Sequence, residues 1–518
     1  MKCTTTFFVL GLLSVGCTSS SKTKEVSETM RQEKYTEDWS SLKHHQTPDW
    51  FRDAKFGIYF HWGPYSVPAY ENEWYSHWMY VDKNHPEYPY NKKFNEHHVA
   101  TYGPLDQFGY KDFIPMFRAE KFDPKAWASL FKKAGARFAG PVAEHADGFA
   151  MWDSQLTEWD AVDKGPKRDI VGELEKAIRA EGLKFITTYH RHWLFGWFPT
   201  WDTSLDAGQP EFSGLYGPKV NKGDFIYPYD PNGNKPRPDY YPMGDFNFNQ
   251  QWTNRLKELI DNYHPDLIWL DNKVDVIDES YRKKFLAYYY NEAQKRNQEV
   301  AVTYKFEDFA QGSAILDVER ARMSEKKSFP WLTDDSVDWK SWSHIKNPDY
   351  KSTNRLIDVL VDIVSKNGCL LLNITPRADG TIPEPVQERL LEIGSWLDQN
   401  GEAIYDTRPW TIYGEGPTQV QEGHLSEQQN EDNTARDIRF TQKGDVLYAI
   451  ALDWPKNNEL QIHSLGLDKN LLQTKITAIE LIGHSEKLQW EQTAGYLSVR
   501  LPEKSLGNYA YAFRIQSE

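Results

Sequence analysis

The chain of 518 residues carries 60 basic and 75 acidic side chains, which gives a formal net charge of −15 at pH 7. This charge argues against a nucleic acid as the partner, because phosphate backbones are bound through clustered Lys and Arg. After the N-terminus no run of about 18 apolar residues occurs, so no membrane-spanning helix is predicted. The 20 Trp, 29 Tyr and 26 Phe suffice for a large core and also for ring faces that stack on sugars.

The first 17 residues have the pattern of a signal peptide. Lys2 precedes an apolar run at 7–13, and small residues follow. Cys17 then stands where a bacterial lipoprotein accepts its lipid, although Ser14 occupies a position at which such signals usually carry Leu. The pattern predicts export, as an outer-membrane lipoprotein anchored at Cys17 or as a periplasmic protein, with plain secretion as the alternative to lipidation.

Residues 18–40 are polar and are predicted to form a tether. Cys3, Cys17 and Cys369 are the three cysteines of the chain, and Cys3 leaves with the signal, so no disulfide framework is predicted. Cys369 lies in an apolar segment and is expected to be a buried core thiol.

Short apolar segments recur after residue 50 and predict the strands of a parallel sheet. They lie at 56–60, 138–143, 184–189, 267–270, 300–304, 314–318 and 369–374. Amphipathic helices separate several of them, such as the helix that begins after Asp123 and stops at Gly135. This alternation predicts an α/β fold, a (β/α)8-like TIM barrel at 41–407.

From residue 408 the pattern changes to strands without helices between them. DVLYAIALDW at 445–454 and AYAFRIQ at 510–516 are typical of such strands. The sequence therefore predicts a C-terminal antiparallel β-sandwich at 408–518.

Polar side chains directly follow six of the predicted barrel strands. In chain order these strands are followed by HWG, EHADG, HRHW, DNK, KFED and ER. Asp271 ends an apolar strand without an intervening turn, at a place where ionising a carboxylate is costly. Because the carboxyl ends of barrel strands meet at one rim, we predict the active site there.

The motifs of several other catalytic classes are missing from the sequence. No predicted strand is followed by a Gly-rich phosphate loop, and HExxH, GxSxG and clustered Cys do not occur. Residues 230–235 begin like a calcium loop but lack its sixth-position Gly and closing Glu, so they are interpreted as a turn. No metal or cofactor is predicted. Carboxylates, His and aromatics remain, and these residue types can hydrolyse a glycosidic bond.

Longer segments resemble one family. WFRDAKFGIYFHWGPYSVPAYENEWYSHWM is similar to the KFGIFIHWG…SVPAW…EWYS signature of the retaining α-L-fucosidases of glycoside hydrolase family 29. HADGFAMWDS, HPDLIWLD and LLLNITPRADGTIP follow in the family's order, from residue 45 to about residue 410. The resemblance implies a catalytic barrel with a β-sandwich behind it, and exo-acting hydrolysis of terminal α-L-fucosides with retention by double displacement.

The resemblance also implies two catalytic carboxyl groups. The family nucleophile is the aspartate that ends this strand, here Asp271. Many members carry the acid/base in a PWE segment, where this chain has Leu332 instead of Glu. Other members carry it farther along the chain after the nucleophile, at a place that matches Glu319, our acid/base prediction.

Other assignments of the acid/base stay open. Glu307, Asp334 and Asp317 are the alternatives, and Glu319 could instead pair with a neighbouring arginine, Arg320 or Arg322. A retaining mechanism predicts carboxyl groups of Asp271 and Glu319 about 5–5.5 Å apart, whereas an inverting one needs about 6.5–9.5 Å.

The resemblance implies a set of sugar-binding residues as well. Ala146 replaces the second His of the family's HHDGF segment, so one hydroxyl contact is missing or supplied elsewhere. The aromatic cluster of His192, Trp193, Trp197 and Trp201 forms either the rim that meets the leaving group or a buried packing cluster. The predicted substrate-binding residues are His61, Glu73, Trp74, His145, Tyr189, His190, Lys305 and Trp331, of which His61, His190 and Lys305 could also donate hydrogen bonds to Asp271.

The sequence is compatible with two alternatives to a plain α-L-fucosidase. The same mechanism could act on sulfated fucan oligosaccharides or on α-L-galactosides, since Ala146 leaves additional room. The other alternative is a non-catalytic glycan-binding lipoprotein on the same scaffold. In each case the expected partner is a fucosylated or related oligosaccharide or polysaccharide.

Overall fold

The computed structural model describes residues 34–81, 88–222 and 246–518. The predicted signal peptide with Cys17, residues 18–33 of the predicted tether and the turn at 230–235 lie outside the described residues. Within the described ranges every helix is too short or too polar to span a bilayer. Tyr35 already contacts the barrel, because its backbone N–H donates to Asn291 Oδ1 at 2.8 Å and its carbonyl accepts from Asn291 Nδ2 at 2.8 Å.

In the described part of the chain, eight parallel strands close into a barrel in chain order, and β8 pairs with β1. This confirms the predicted (β/α)8-like barrel. The strands are β1 (Phe56–Phe60), β2 (Phe138–Glu144), β3 (Lys184–Tyr189), β4 (Leu267–Leu270), β5 (Ala301–Tyr304), β6 (Ile315–Asp317), β7 (Trp331–Ser336) and β8 (Gly368–Ile374).

Strand β7 is the barrel strand that the pattern of apolar segments did not predict. Its sequence is WLTDDS, so four of its six side chains carry hydroxyl or carboxyl groups, yet all six residues are buried. Leu332 packs inside the barrel, and Asp334, two residues further along the same face, reaches the polar rim. A strand that supplies charged groups to a site does not show the apolar run by which strands are recognised.

The helices cover the barrel unevenly. Along residues 305–330, which are all described, no helix follows β5 or β6, so loops take the place of two barrel helices. At the predicted N-cap, Asp123 Oδ1 accepts from the backbone N–H of Lys125 and Ala126. The α-helices are α1 (Trp39–Leu42), α2 (Asp49–Ala54), α3 (Tyr75–Trp78), α4 (Tyr88–Tyr102), α5 (Pro124–Lys133), α6 (Ile170–Ala180), α7 (Ser213–Tyr216), α8 (Phe246–Tyr263), α9 (Glu279–Lys295), α10 (Thr353–Ser365) and α11 (Glu384–Asn400).

Inward-facing side chains fill the lower part of the barrel. Tyr59, Ile186, Trp269, Leu332 and Cys369 belong to this buried cluster. Burial raises the pKa of the Cys369 thiol, so it is the buried core thiol that the sequence predicted. Because side chains fill the interior of such a barrel, the site lies above this layer, at the C-terminal ends of the strands.

Two antiparallel sheets follow the barrel and confirm the predicted C-terminal β-sandwich. The five-stranded sheet has the order β13-β16-β11-β10-β9, and the three-stranded sheet has the order β12-β15-β14. The strands are β9 (Arg408–Glu415), β10 (Ile438–Lys443), β11 (Val446–Ala451), β12 (Glu459–Ile462), β13 (Ile476–Leu481), β14 (Gln489–Gln492), β15 (Leu497–Arg500) and β16 (Tyr511–Ser517).

A buried ion-pair cluster joins the five-stranded sheet to the barrel. Asp362 on α10 accepts from Arg439 of β10 at 2.5 Å and from Lys366 at 2.8 Å, and Arg322 lies 3.5 Å away. Burial alone would raise the pKa of Asp362, but these cations hold it below its usual range. The cluster fixes the C-terminal sheets beside the β6–β8 side of the barrel, where the long β9–β10 connection crosses the rim.

Candidate active site

A cleft of about 530 Å³ opens at the C-terminal ends of the barrel strands, as the sequence predicted for the rim. Residues from the C-terminal parts of seven strands, β1 to β7, meet in it, together with residues from the β9–β10 connection. The lining residues include His61, Glu73, Trp74, Trp78, His145, Ala146, His190, Trp193, Trp197, Asp271, Lys305, Glu319, Arg320, Asp334, Trp342, Leu425, Glu427 and Gln428.

Three imidazoles form what we call the histidine wall: His61, His145 and His190, which follow β1, β2 and β3 directly. Their ring centroids are 4.9 to 5.3 Å apart. Burial lowers the pKa of His61 and of His145 well below the usual value, so both rings are neutral at pH 7. Because their facing nitrogens lie within 4.8 Å of one another, these three are also the residues best placed to hold a metal ion in the described chain.

The tautomer of His61 follows from its neighbour Asn373. Asn373 Nδ2 donates to Ser336 Oγ and to the Trp342 carbonyl, which orients its Oδ1 toward His61. That Oδ1 lies 2.9 Å from His61 Nδ1, so Nδ1 carries the proton and Nε2 keeps a free lone pair. His61 therefore presents a hydrogen-bond acceptor.

The opposite side of the cleft is charged, and we call it the acidic wall: Asp271, Lys305, Glu319 and Asp334. Asp271 and Lys305 follow β4 and β5 directly, Glu319 comes two residues after β6, and Asp334 lies in β7. The Lys305 ammonium group is fully buried and lies 2.7 Å from Glu319, 3.3 Å from Asp271 and 3.4 Å from Asp334. It also lies 4.6 Å from the centroid of the Trp269 ring beneath it.

The environment of Asp271 keeps it ionised. Burial alone would raise the pKa of Asp271, but the Lys305 ammonium group and His190 hold it well below its usual range. His190 Nδ1 lies 3.4 Å from Asp271 Oδ2, and the side chain of Asp271 is still 17 % exposed to the cleft. The strand-end carboxylate is thus a charged group that a ligand can reach.

The environment of Glu319 has the opposite effect. Burial raises the pKa of Glu319 to about 7, against the lowering influence of Lys305 and with further raising by Asp334 and Asp271. A carboxyl group with this pKa can carry a proton near neutral pH and give it up. The Lys305 Nζ distances of 3.3 and 2.7 Å place Asp271 Oδ1 and Glu319 Oε2 no more than 6.0 Å apart.

The three alternative acid/base residues lie in different places. Asp334 lines the cleft, but its Oδ2 accepts from the buried Tyr59 hydroxyl at 2.9 Å. Asp317 is fully buried under Lys305, accepts from Trp269 Nε1 at 3.0 Å and does not line the cleft. Glu307 lines a separate cavity on the outer side of β5 and β6.

Glu73 and Trp74 both line the cleft. Glu73 Oε2 accepts from the backbone N–H of Trp342 at 3.0 Å, and burial raises the pKa of Glu73. Trp74 packs against Trp197, with ring centroids 4.3 Å apart, and against Trp193 at 5.0 Å.

The sequence left open whether the aromatic residues at 192–201 form the rim of the site or a buried packing cluster, and the structure shows some of each. Trp193 and Trp197 line the cleft, whereas His192 is buried and its Nε2 lies 2.7 Å from the Asn272 carbonyl oxygen. Trp201 packs against the main core and does not line the cleft.

Tyr189 and Trp331 do not line the cleft, so the expectation that they wall the sugar pocket is wrong. Both are fully buried on the outer face of their strands, where Tyr189 packs against α8 and Trp331 Nε1 donates to the Lys366 carbonyl behind α10. Successive strand residues face opposite sides, so the neighbours of cleft-facing residues point into the helical layer.

Sequence reasoning missed several residues of the site. Asn373 does not line the cleft but orients His61, which does. It is the polar residue of an otherwise apolar strand, and that feature could have identified it. Trp342 lies in a loop without a motif, and the sequence indicated Arg320 only as an ion-pair partner of Glu319. Leu425 and Gln428 come from the C-terminal region, and only the folded chain shows that they reach the rim.

Comparison with known proteins shows the family of the chain. The family model for α-L-fucosidase matches residues 22–402, and the model for the α-L-fucosidase C-terminal domain matches residues 429–516. The chain belongs to the α-L-fucosidase family. The match spans the barrel with all residues of the histidine and acidic walls.

Individual relatives cover nearly the whole chain. The plasma α-L-fucosidase of Pongo abelii is 33 % identical over 87 % of this chain and 85 % of its own length. The tissue α-L-fucosidase of Homo sapiens is 32 % identical over 88 % of this chain and 85 % of its own length. Among solved structures, the Thermotoga maritima α-fucosidase in complex with fucose is 30 % identical, with a TM-score of 0.69 over 93 % of this chain and all of that chain. The predicted family, fold and glycoside hydrolase class are thereby confirmed.

Proposed function

We propose that the chain removes terminal α-L-fucosyl residues from glycans with retention of configuration, with Asp271 as nucleophile and Glu319 as acid/base. One observation carries this proposal. A single buried ammonium group, that of Lys305, lies between two carboxyl groups whose pKa values are shifted in opposite directions. Opposed pKa values are what assign one carboxyl group as the nucleophile and the other as the acid.

In the first step the ionised Asp271 attacks the anomeric carbon, and Glu319 gives its proton to the departing glycosidic oxygen. The separation of the two oxygens, at most 6.0 Å, supports direct attack, since an inverting pair needs about 6.5–9.5 Å to admit a water. In the second step Glu319, now ionised, takes a proton from a water molecule that attacks the same carbon and releases Asp271.

The histidine wall suits the hydroxyl groups of the sugar. His61 offers the lone pair of Nε2, and the buried Nδ1 of His145 has no hydrogen-bond partner among the described residues. An unpaired buried polar atom is costly, so a ligand hydroxyl that pairs with it binds favourably. Trp74 adds a half-buried aromatic ring to the lining of the cleft.

One observation favours a second sugar. Ala146 lines the cleft beside His145, where the family pattern carries a second His. The smaller side chain leaves room for a substituent in place of the fucose methyl hydrogen, as in an α-L-galactoside. The presence of both shifted carboxyl groups argues against a non-catalytic glycan binder.

Proton NMR of the first-formed sugar tests the proposal. With an aryl α-L-fucoside as substrate, we expect the α-anomer of fucose to appear first and to mutarotate later. Initial release of the β-anomer would overturn retention, and no release of fucose from any fucoside would overturn the function.

The cellular location is a separate proposal. We propose export to the periplasm or the outer membrane, supported by the charged and apolar pattern of residues 1–17. Fractionation of cells that express the full chain and its Cys17→Ser variant tests it. The wild-type chain should sediment with membranes and C17S should be soluble, whereas a cytoplasmic wild-type chain would contradict export.

A further inference from the structure

The connection between β9 and β10 reaches back over the barrel and contacts the acid/base residue from both sides. We call residues 422–430 the rim loop. The Leu425 N–H donates to the Glu319 carbonyl at 2.8 Å, and the Glu319 N–H donates to His424 Nδ1 at 3.1 Å. The Glu427 N–H donates to the next carbonyl, that of Arg320, at 3.0 Å. Three hydrogen bonds thus hold two successive residues of the loop after β6.

The rim loop is itself firmly held. Glu427 Oε1 pairs with Arg320 Nη1 at 3.1 Å, and its other oxygen pairs with the buried Lys351. Arg355 on α10 donates to the carbonyls of Glu427 and Asn430, both at 3.1 Å. The loop is therefore a fixed support rather than a freely moving segment.

The ring of His424 is held by a second contact. It stacks on Phe306, with centroids 4.0 Å apart and planes 28° apart. Since Nδ1 accepts a hydrogen bond, the ring is in the neutral form with its proton on Nε2. Burial lowers the pKa of His424 to about 4, so this acceptor persists throughout the neutral range.

Two further residues of the rim loop face the cleft. Leu425 lines it and is 44 % exposed, and Gln428 lines it as well. The histidine wall on the other side is almost fully buried and suits the terminal sugar. An exposed surface that adjoins the proton donor lies where the departing group must leave, because the acid protonates the leaving oxygen.

We propose that the rim loop completes the active site from the C-terminal domain: His424 is a positioning residue for Glu319, and Leu425 with Gln428 forms the subsite for the leaving sugar. This inference rests on the proposed function. The side chains of Leu425 and Gln428 together suit a pyranose. The ring hydrogens of the sugar can pack on the isobutyl group of Leu425, and its hydroxyl groups can hydrogen-bond to the amide of Gln428. A displacement of about 1 Å in a catalytic group can cost a hundredfold in rate, so the hydrogen bond at the Glu319 N–H matters for proton transfer.

The His424→Phe variant tests the positioning role. Phe keeps the stack on Phe306 but removes the acceptor at Nδ1, whereas His424→Asn supplies an oxygen in its place. With methyl α-L-fucoside, which needs protonation, kcat/KM of H424F should fall about tenfold or more. 2-Chloro-4-nitrophenyl α-L-fucoside needs little protonation of its leaving group, so kcat/KM of H424F for this substrate should fall by less than about threefold. H424N should recover most of the kcat/KM that H424F loses on methyl α-L-fucoside.

The matched control is His463→Phe, another histidine of the C-terminal domain that packs on an aromatic ring, that of Tyr496, away from the cleft. H463F should behave as wild type on both substrates. Equal losses of H424F on the two substrates, or no loss on either, would overturn the positioning role. A wild type inactive on both would instead overturn the proposed function.

Leu425→Ala tests the subsite and does not depend on how H424F folds. The inhibition constant of L-fucose, which fills only the terminal position, should stay within about twofold, while KM for the aryl fucoside rises several-fold. Leu467→Ala is the control, because Leu467 is 62 % exposed and lies outside the cleft. Equal changes in both constants, or no change in KM, would overturn the subsite.

Discussion

The two walls of the cleft come from neighbouring strands of one barrel but have opposite electrostatic character. The histidine wall is built on β1, β2 and β3, and the buried rings of His61 and His145 are neutral because burial lowers their pKa. The acidic wall is built on β4 to β7, where Lys305 lies among Asp271, Glu319 and Asp334. One wall therefore offers neutral hydrogen-bonding groups, and the other offers charge.

The walls also differ in how the chain supports them. An α-helix runs between β2 and β3 and between β3 and β4, whereas β5, β6 and β7 are joined by loops in residues 305–330. The loop that carries Glu319 is held instead by the rim loop of the C-terminal domain. We infer that changes in the acidic wall act on the chemical steps, whereas changes in the histidine wall act on sugar binding.

The largest effect is expected for Asp271→Asn. The amide has the shape of the carboxylate but cannot attack the anomeric carbon, so kcat should fall by at least about a thousandfold. Kinetics on an aryl fucoside measure it, with Asp106→Asn on the exposed surface as the matched control. Near-normal turnover of D271N would mean that another group is the nucleophile.

Glu319→Ala should separate good from poor leaving groups. Loss of the proton donor should slow the hydrolysis of methyl α-L-fucoside by about a hundredfold to ten-thousandfold, because proton transfer contributes a factor of that size. Hydrolysis of the aryl fucoside should slow much less. Azide should restore turnover of the aryl substrate by attacking in place of water. Equal losses on both substrates without azide rescue would move the acid/base to Asp334, the other acidic residue of this wall.

Lys305→Met removes the cation that the carboxyl groups of the acidic wall share. Without it the pKa of Asp271 should rise, so the nucleophile ionises only at higher pH and the acidic limb of the kcat/KM profile shifts upward. We expect a loss of about a hundredfold near neutral pH, typical of removing one electrostatic stabiliser, and partial recovery in Lys305→Arg. An unshifted acidic limb would show that Lys305 does not control Asp271.

The pH dependence of the wild type should reflect Glu319. In the proposed mechanism Glu319 must be protonated to act, and burial raises its pKa to about 7. The kcat/KM for methyl α-L-fucoside should therefore fall above about pH 7, by about tenfold per pH unit, while that for the aryl fucoside falls less. A methyl fucoside profile that stays flat to pH 9 would contradict this role.

The smallest effect is expected on the histidine wall. His145→Ala removes one neutral hydrogen-bonding group, so KM should rise by at most about tenfold while kcat changes little. The inhibition constant of L-fucose should rise in parallel. A kcat loss as large as that of the acidic-wall variants would remove the distinction between the two walls.

The rim residues could be predicted because strand order and strand ends are visible in the sequence. His61, His190, Asp271 and Lys305 each stand directly after a predicted strand, and His145 stands one residue further on. Barrel closure brings these ends together. The errors at Tyr189 and Trp331 arise from strand alternation. Tyr189 precedes a cleft-facing residue on the same chain segment, so it must face the helices.

The rest of the site depends on contacts that no local pattern encodes. Strand β7 is too polar to be recognised. Its two carboxyl groups can be buried because Lys305, which follows β5, pairs with Asp334, and Lys351 pairs with Asp335. The hydrogen bond between His424 and Glu319 joins residues more than a hundred positions apart. Such a contact depends on how the C-terminal sheets dock on the barrel, which the sequence pattern does not show.

The covalent role of Asp271 is the central claim, and trapping its intermediate tests it most directly. With 2-deoxy-2-fluoro-α-L-fucosyl fluoride the fluorine at C2 slows both steps, while the fluoride leaving group lets the first proceed, so the fucosyl-enzyme should accumulate. Intact mass spectrometry should show the addition of one fluorofucosyl group, and peptide mapping should place it on Asp271. An adduct on another residue, or turnover without any adduct and with the β-anomer released first, would contradict the account.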